Sequence, residues 1–252
     1  MPLPSIHLTL FAYGGIEPAT HKSIVKELLQ EGLHKISYSS IEDDALISRS
    51  RSRAVGRFLK ETDADILFMI DHDISWNAGD LLATAQQAHE KQAPVAGLYP
   101  CRAFGRGMSS RLMKEGAHFK VGGDGLHDAD FLATGFLAIP RTVLQKTIEK
   151  MSRKFSIALP ATYRVYECAE EQFGGVPYFS LFQPFPAKDK MSPIGMSYLS
   201  EDWAFSARVK AAGYSLYVYE KPFLAHTGKF AYHVVHGVPP QLAEAAKTQA
   251  MV

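Results

Sequence analysis

The sequence has few of the features that would mark it as secreted, membrane-bound or nucleic-acid-binding. Its 252 residues include only 2 cysteines, Cys101 and Cys168, and these are not spaced as a CxxC pair. So few cysteines argue against the disulfide framework that small secreted domains use, and they predict free thiols in a reducing cytoplasm. The chain is therefore expected to rely on a hydrophobic core, for which its length and 46% hydrophobic content suffice.

An excess of one charge sign and long apolar runs are also missing. The 27 lysines and arginines nearly balance 26 aspartates and glutamates, so a net charge of +1 gives no general attraction to nucleic acid or to anionic membrane. No apolar run approaches the ~20 residues that a membrane span needs. The first residues, MPLPSIHLTLFAYGG, lack the basic start of a signal peptide. The sequence predicts a cytoplasmic protein without a transmembrane segment.

Strand-like and helix-like segments alternate through residues 1–100. Strands are predicted for 6–13, 35–41, 65–70 and 94–99, and helices for 23–32, 47–61 and 77–92. Strands alternating with helices of this length predict a mostly parallel sheet with helices on both faces. A half of this kind binds nucleotides at the carboxyl ends of its strands.

The rhythm changes after residue 100. A hairpin is predicted for 117–125, a continuous strand for 130–140, helices for 142–150 and 201–213, and a strand for 216–219. The proline-rich stretch 182–196, FQPFPAKDKMSPIGM, is predicted to be a long mobile loop that orders over bound ligand. We interpret the chain as one domain, 1–252, with a nucleotide-binding half (1–100), an acceptor half (101–230) and a C-terminal tail (231–252).

Two aspartates follow the most apolar predicted strand, in ADILFMIDHDISW. Residues i and i+2 of an extended segment face the same side, so Asp71 and Asp73 are expected to project together where the buried strand ends. Two hard oxygen ligands at one point suit Mg²⁺ or Mn²⁺. An acidic strand end that caps the next helix explains the same spacing about equally well.

Three later segments add polar groups in a fixed order. TGF contains Gly135, SEDW opens a helix with Glu201 and Asp202, and AHTG, which contains His226, follows a strand. Each is weak alone, because the helix dipole favours acidic residues in a first turn and an isolated histidine is usually structural. The order of all the segments, more than any one of them, indicates a shared site.

In this order the segments resemble GT-A-fold glycosyltransferases, in particular the family 2-like bacterial and phage members of the nucleotide-diphospho-sugar transferase superfamily. The resemblance covers roughly residues 6–228. It implies an α/β fold of GT-A (Rossmann-like) type, with a mostly parallel central sheet flanked by helices and an acceptor-side extension. It also implies metal-dependent transfer of a sugar, with inversion, from a nucleotide-diphospho-sugar donor, a UDP-sugar being the first candidate, to an acceptor hydroxyl.

The resemblance assigns roles to individual residues. The ligands of Mn²⁺ or Mg²⁺ would be Asp71, Asp73 and His226, with Asp73 the more direct carboxylate. Asp202 would be the general base, with Glu201 beside it at the acceptor. Donor contacts would come from the segments around the metal site, namely Tyr13, Arg51, Ser52, Asp71, His72, Asp73 and Gly135. Related enzymes have an arginine–asparagine pair where this chain has Arg51 and Ser52, so the second member departs from the pattern. Arg102, in GLYPCR, is expected near the site.

Two other classes of protein share parts of this pattern. A sugar-phosphate nucleotidyltransferase would have the same nucleotide-binding half, but FAYGGIEPATHK, residues 11–22, lacks the basic glycine-rich loop that holds a triphosphate. A non-catalytic carbohydrate-binding module leaves the metal, base and histidine set without purpose. The pattern does not identify the acceptor, which could be a glycan, lipid, protein or modified nucleic acid, and it does not give the oligomeric state.

Overall fold

The computed structural model describes residues 3–29, 36–102, 107–115, 118–119, 124–152, 160–169, 175–188, 193–228 and 231–233. The helices are α1 (Pro18–Leu28), α2 (Ile47–Glu61), α3 (Asp80–Lys91), α4 (Arg141–Ser152) and α5 (Glu201–Ala211), with a 3-10 turn at Ala161–Tyr163. The strands are β1 (Ile6–Ala12), β2 (Ile36–Glu42), β3 (Ile66–Asp71), β4 (Ile74–Ser75), β5 (Val95–Gly97), β6 (Arg111–Leu112), β7 (Lys114–Glu115), β8 (His118–Phe119), β9 (Leu126–Phe131), β10 (Phe136–Pro140), β11 (Glu167–Cys168), β12 (Tyr178–Phe179), β13 (Phe185–Lys188), β14 (Met196–Leu199), β15 (Tyr217–Tyr219), β16 (Ala225–Thr227) and β17 (Ala231–His233).

An eight-stranded sheet, in the order β2-β1-β3-β10-β5-β15-β9-β6, forms the centre of the described structure. β1 is parallel to both β2 and β3, and β5 is parallel to β15. β10 and β9 run against their neighbours, so the other six strands share one direction. The α/β class and the mostly parallel sheet flanked by helices are thereby confirmed, and they are compatible with a Rossmann-like fold.

Both faces of β3 are covered by helices. Leu67 and Met69 belong to an apolar cluster with residues of α2, α4 and α5, whereas Ile66, Phe68 and Ile70 belong to a second cluster with residues of α1 and α3. All five side chains are fully buried. A strand that meets water on neither face has a continuous apolar sequence, as this one does. The carboxyl end of β3 is therefore held firmly in place.

The prediction of one continuous strand over 130–140 is wrong. β9 ends at Phe131 and pairs with β15 and β6, whereas β10 begins at Phe136 and lies antiparallel between β3 and β5. The break is not visible in the sequence, because the residues that connect the two strands include Leu132 and Ala133 and continue the apolar run into β10. A hydrophobic pattern also does not identify strand partners. As a result, residues before and after 100 contribute to the same sheet.

The prediction of a long loop over residues 182–196 is also wrong in part. β13 and β14 form an antiparallel ribbon, from Phe185 opposite Leu199 to Lys188 opposite Met196. Pro186 is tolerated because a two-stranded ribbon has free edges where a missing N–H costs little. Residues 189–192 lie outside the described residues, as do most of the hairpin predicted for 117–125 and most of the tail.

α5 is tied to the second half of the chain by one buried arginine. Arg208 is fully buried, and its guanidinium donates to the carbonyl oxygens of Leu181 at 2.7 Å and Gln183 at 2.8 Å. Burial lowers the pKa of Arg208 to about 10, still well above neutrality. These bonds fix the position of the helix that begins with Glu201 and Asp202.

In the described part of the chain, no helix combines the length and the apolar character needed to cross a bilayer.

Candidate functional site

The carboxyl ends of β1 and β3 meet at one edge of the sheet. Phe11 is in register with Asp71, and the His72 N–H donates to the Phe11 carbonyl oxygen at 3.0 Å. The Glu17 N–H donates to the His72 carbonyl oxygen at 3.0 Å, so the chain after β1 returns to the DHD turn. Tyr13, whose side chain is exposed, therefore lies at the same edge as both aspartates.

A cleft of about 320 Å³ opens at this edge. This is at the small end of the range for ligand pockets, about 300–1,000 Å³. Its lining includes five of the predicted site residues, which are Tyr13, Asp71, His72, Asp73 and His226. Arg102 also lines the cleft, as expected from its position in the sequence.

His226 is brought to Asp73 by strand pairing. β16 pairs with β4, which follows the DHD turn, and the Thr227 N–H donates to the Asp73 carbonyl oxygen at 2.8 Å. Nε2 of His226 lies 3.6 Å from Oδ2 of Asp73, and Nδ1 lies 2.9 Å from the Pro100 carbonyl oxygen. Because a carbonyl oxygen only accepts, Nδ1 carries the proton of this hydrogen bond, and Nε2 is the ring nitrogen that faces Asp73. Metal-binding histidines are held by the same kind of bond.

Asp73 is almost fully buried but ionised. Its Oδ2 accepts a hydrogen bond of 2.7 Å from Nη1 of Arg102. Burial raises the pKa of the Asp73 carboxyl, but the contact with His226 and the positive charge of Arg102 outweigh it, and the pKa lies below its ordinary value. Asp73 is therefore an anion that depends on its immediate neighbours.

Asp71 is held by a different arginine. Nη2 of Arg51 donates to both carboxylate oxygens, at 2.9 and 3.1 Å, while Nη1 donates to the Thr134 carbonyl oxygen at 3.1 Å. Arg51 is buried, and its guanidinium lies 5.0 Å from the centre of the Phe11 ring. Arg51 thus lies behind Asp71, and the predicted contact between Arg51 and a nucleotide stays a prediction.

Gly135 fits a space that admits no side chain. Its N–H donates to the Tyr99 hydroxyl at 2.9 Å, and its carbonyl oxygen accepts from the Asp71 N–H at 3.0 Å. A Cβ at this position would lie 2.6 Å from the Tyr99 hydroxyl and 2.9 Å from Oδ2 of Asp71. Burial, followed by the charge of Asp71, raises the pKa of Tyr99 well above its usual value, so the hydroxyl stays neutral.

Glu201 and Asp202 begin α5 beside this group. Ser200 is at the N-cap position, but its hydroxyl donates to Oδ1 of Asp202 instead of capping the backbone. Oδ1 also accepts from the Trp203 N–H at 2.8 Å. Burial raises the pKa of Glu201, the charges of Asp202 and Asp71 raise it further, and Arg51 opposes the shift. These couplings join the two acidic residues to Asp71, which also lines the cleft.

Ser52 lies away from the cleft lining. It is buried, its hydroxyl donates to the Ser48 carbonyl oxygen at 2.7 Å, and its Oγ accepts from the Phe182 N–H at 3.4 Å. In this position Ser52 connects α2 to the segment before β13. The nucleotide contact predicted for Ser52 stays a prediction.

Two residues of the site were missed from the sequence. Tyr99 belongs to the same GLYPCR segment as Arg102, and a tyrosine at a buried strand end was the available signal. Asp44 lines the cleft and pairs with Arg49 at 2.7 Å and with Arg53 at 3.3 Å. Its signal was weaker, because an aspartate just before a helix is also an ordinary capping residue.

The predicted metal ligands match Mn²⁺ or Mg²⁺ in chemical type. Two carboxylates and one imidazole nitrogen face the same cleft, and hard cations of this size take such donors. In the described residues, no three His, Cys, Asp or Glu side chains lie close enough together to hold an ion without some movement. The donors fit a cation in kind, with Arg102 in contact with the carboxylate oxygen that would bind it.

Comparisons with known proteins support the overall fold of the chain but identify no family. No protein-family model matches the chain, and no curated protein matches its sequence. Among solved structures, it is similar to the crystal structure of A197 from STIV, with a TM-score of 0.50 and 16% identity over 92% of this chain and 96% of that one. At this identity the likeness supports the overall α/β fold alone.

Proposed function

We propose that the chain is a divalent-metal-dependent glycosyltransferase of GT-A fold, which transfers a sugar from a nucleotide-diphospho-sugar donor to an acceptor hydroxyl. The observation that carries the proposal is the meeting of Asp71, Asp73 and His226 at one cleft. His226 is far from the aspartates in the sequence, and the pairing of β16 with β4 brings it there. A strand end with two carboxylates that merely capped a helix would not need this histidine.

The cleft offers a suitable surface for a nucleoside diphosphate. Asp73, His226 and Asp71 would hold Mn²⁺ or Mg²⁺, which when bound supplies positive charge to the diphosphate leaving group. Asp73 is the more direct ligand, because both oxygens of Asp71 already accept from Arg51. The exposed ring of Tyr13, on the rim of the same cleft, is available for stacking with the base.

Asp202 is proposed as the general base. Its Oδ1 is held by Ser200 and the Trp203 N–H, which orients the carboxylate. The acceptor oxygen attacks the anomeric carbon as the bond from that carbon to the diphosphate breaks, and the hydroxyl proton passes to Asp202. A single displacement of this kind inverts the anomeric carbon. Glu201 lies beside Asp202 at the acceptor side.

A screen of nucleotide sugars with Mn²⁺ or Mg²⁺ tests the proposal, with thermal stabilisation and release of nucleoside diphosphate as readouts. We expect one donor class to stabilise the wild type only with metal, and Asp73→Asn to lose this response. His226→Ala should lose less of it, because two carboxylates remain. Asp124→Asn is the matched control, since Asp124 is exposed and lies outside the cleft.

Equal affinity of the wild type and Asp73→Asn for nucleoside diphosphate with Mn²⁺, measured by calorimetry, would refute the metal assignment. The alternative of a sugar-phosphate nucleotidyltransferase predicts release of pyrophosphate from a nucleoside triphosphate and a sugar phosphate instead. The same screen includes that reaction. A binding module would be stabilised by sugars without consuming any donor.

A further inference from the structure

Asp73 is much more deeply buried than the cation that neutralises it. The side chain of Asp73 is 5% exposed, whereas that of Arg102 is 52% exposed. A carboxylate so buried does not stay ionised without a positive partner. Within the described residues, Arg102 is the only permanently charged side chain in ion-pair contact with Asp73. Arg102 therefore supplies the permanent positive charge at Asp73, beside the contact with His226.

The position of Arg102 allows it to exchange partners. Its aliphatic stem passes Gly228, where an added Cβ would contact Cδ of Arg102 at 3.4 Å. Gly228 belongs to the same AHTG segment as His226, so the stem is supported beside the site while the guanidinium reaches into the cleft. Rotation of the exposed guanidinium toward another anion would leave Asp73 and His226 in place.

We propose that Arg102 is the resident counter-ion of Asp73, that a divalent cation displaces it, and that the released guanidinium then binds the diphosphate of the donor. The inference rests on the proposed function, because it takes Asp73 as a metal ligand. Oδ2 of Asp73 is the atom that contacts both Arg102, at 2.7 Å, and Nε2 of His226, at 3.6 Å. A cation between Asp73 and His226 would occupy the same oxygen and repel the guanidinium.

The released arginine has a reason to bind the diphosphate. One divalent cation balances the charge of the diphosphate in a nucleotide sugar, but the cleft adds the carboxylates of Asp71 and Asp73, and the leaving nucleoside diphosphate carries a further negative charge. A guanidinium forms charge-assisted, often bidentate bonds with phosphate oxygens. Arg102 is already in the cleft lining, so no large movement of the backbone is required.

The exchange predicts effects of opposite sign. Removal of Arg102 should strengthen binding of Mn²⁺ alone, by roughly 3- to 10-fold, because the metal no longer displaces a partly exposed ion pair. The same change should weaken binding of UDP in the presence of Mn²⁺ by about 10-fold or more, because a charge-assisted phosphate contact is lost. A residue that only binds phosphate would produce the second effect without the first.

The experiment measures Mn²⁺ binding by electron paramagnetic resonance, without nucleotide, in wild type, Arg102→Ala and Arg102→Gln. Arg111→Ala is the matched control, since Arg111 is 53% exposed, pairs with Asp130 and has no contact with Asp73. UDP binding with saturating Mn²⁺ is then measured by calorimetry for all four proteins. Thermal unfolding without metal confirms that each variant is folded.

Three outcomes would overturn the inference. In the first, the Arg102 variants bind Mn²⁺ no more tightly than the wild type, including the case in which none binds it without nucleotide. In the second, Arg111→Ala strengthens Mn²⁺ binding equally, which would indicate a general charge effect. In the third, UDP binding is unchanged in the Arg102 variants. Asp73→Asn, tested with Mn²⁺ and UDP, separates these results from failure of the proposed function. If the proposed function is wrong, Asp73→Asn binds UDP as tightly as the wild type. If only the exchange of Arg102 is wrong, Asp73→Asn still binds UDP more weakly.

Discussion

Asp71 and Asp73 are two residues apart, yet they are neutralised in opposite ways. The side chain of Asp71 is 28% exposed and its partner Arg51 only 3% exposed. The side chain of Asp73 is 5% exposed and its partner Arg102 52% exposed. One pair has its cation inside the protein, and the other has its cation in solvent.

This difference separates a fixed part of the site from an exchangeable part. If Arg51 lost its contact with Asp71, a buried guanidinium would remain in apolar surroundings without its carboxylate partner, which costs several kcal/mol. Arg102 gains water when it leaves Asp73. Asp71 is thus a framework residue that joins the cleft to Glu201 and Asp202, while Asp73 is available for a ligand.

The largest expected effect is a loss of catalytic rate without a loss of donor affinity. It tests whether the Asp71 side of the site serves the chemical step and the Asp73 side serves binding. Asp202→Asn should lower the rate of sugar transfer by about 10²- to 10⁴-fold, because the general base is lost. Donor affinity with Mn²⁺ should stay near the wild-type value, since Asp202 is not in the cleft lining. Single-turnover kinetics and calorimetry measure the two quantities.

Asp130→Asn is the control for this prediction, because Asp130 pairs with Lys210 of the same helix at 3.0 Å and is expected to leave the rate unchanged. A near-normal transfer rate in Asp202→Asn would contradict its role as base. It would also remove the reason to expect inversion.

The second prediction compares the two arginines directly. Arg51→Met should lower the free energy of unfolding by about 2–4 kcal/mol, because it breaks a largely buried ion pair. Arg102→Met should lower it by less, about 1 kcal/mol, because Arg102 is half exposed and His226 remains beside the buried carboxylate. Urea unfolding at neutral pH measures both. Similar effects in the two variants would mean that the distinction between fixed and exchangeable pairs is wrong.

The third prediction tests how tightly the Asp71 side is packed. Gly135→Ala should lower the free energy of unfolding by about 1–3 kcal/mol, because the new methyl group overlaps the Tyr99 hydroxyl and the Asp71 carboxylate. In a Tyr99→Phe background the cost should be smaller, since one of the overlapping atoms is gone. Gly228→Ala, whose methyl group would make an ordinary contact with Arg102, is the control and should be close to neutral. Equal costs for the two alanines would show that the Asp71 side can relax.

The sequence predicted the elements that depend on local pattern. α2 has the predicted bounds, Ile47–Glu61, because its apolar residues repeat at helical spacing. The apolar run before Asp71 forms the predicted buried strand, β3. The position of β10, antiparallel between β3 and β5, could not be predicted from local pattern, because apolar strands of either direction have the same pattern.

Site residues were predictable where chemistry and position coincide. Asp71, Asp73 and His226 have side chains suited to a metal, and they follow predicted strands, so their meeting at one cleft was foreseen. The partners of the aspartates were not, since the lengths and directions of the Arg51 and Arg102 side chains depend on tertiary packing. For the same reason, the difference between the two aspartates could not be predicted from the sequence.

The smallest expected effect concerns the third carboxylate of the cleft, Asp44, which follows the pattern of Asp71. Burial alone would raise its pKa, but the hydrogen bonds from Arg49 and the Leu46 N–H, with the charge of Arg49, lower it from 3.8 to about 2. A carboxyl whose pKa is lower in the folded state stabilises the fold above its unfolded-state pKa, and it loses this contribution as pH falls through the folded-state value. The stability advantage of the wild type over Asp44→Asn should therefore shrink by about 1–2 kcal/mol as pH falls from about 5 to about 2. Urea unfolding of both proteins across this range measures the difference. The pH-dependent contributions of the other carboxylates are present in both proteins and largely cancel. A difference that stays constant with pH would mean that the pKa of Asp44 is not lowered in the folded protein and that its contacts with Arg49 and Arg53 add little stability.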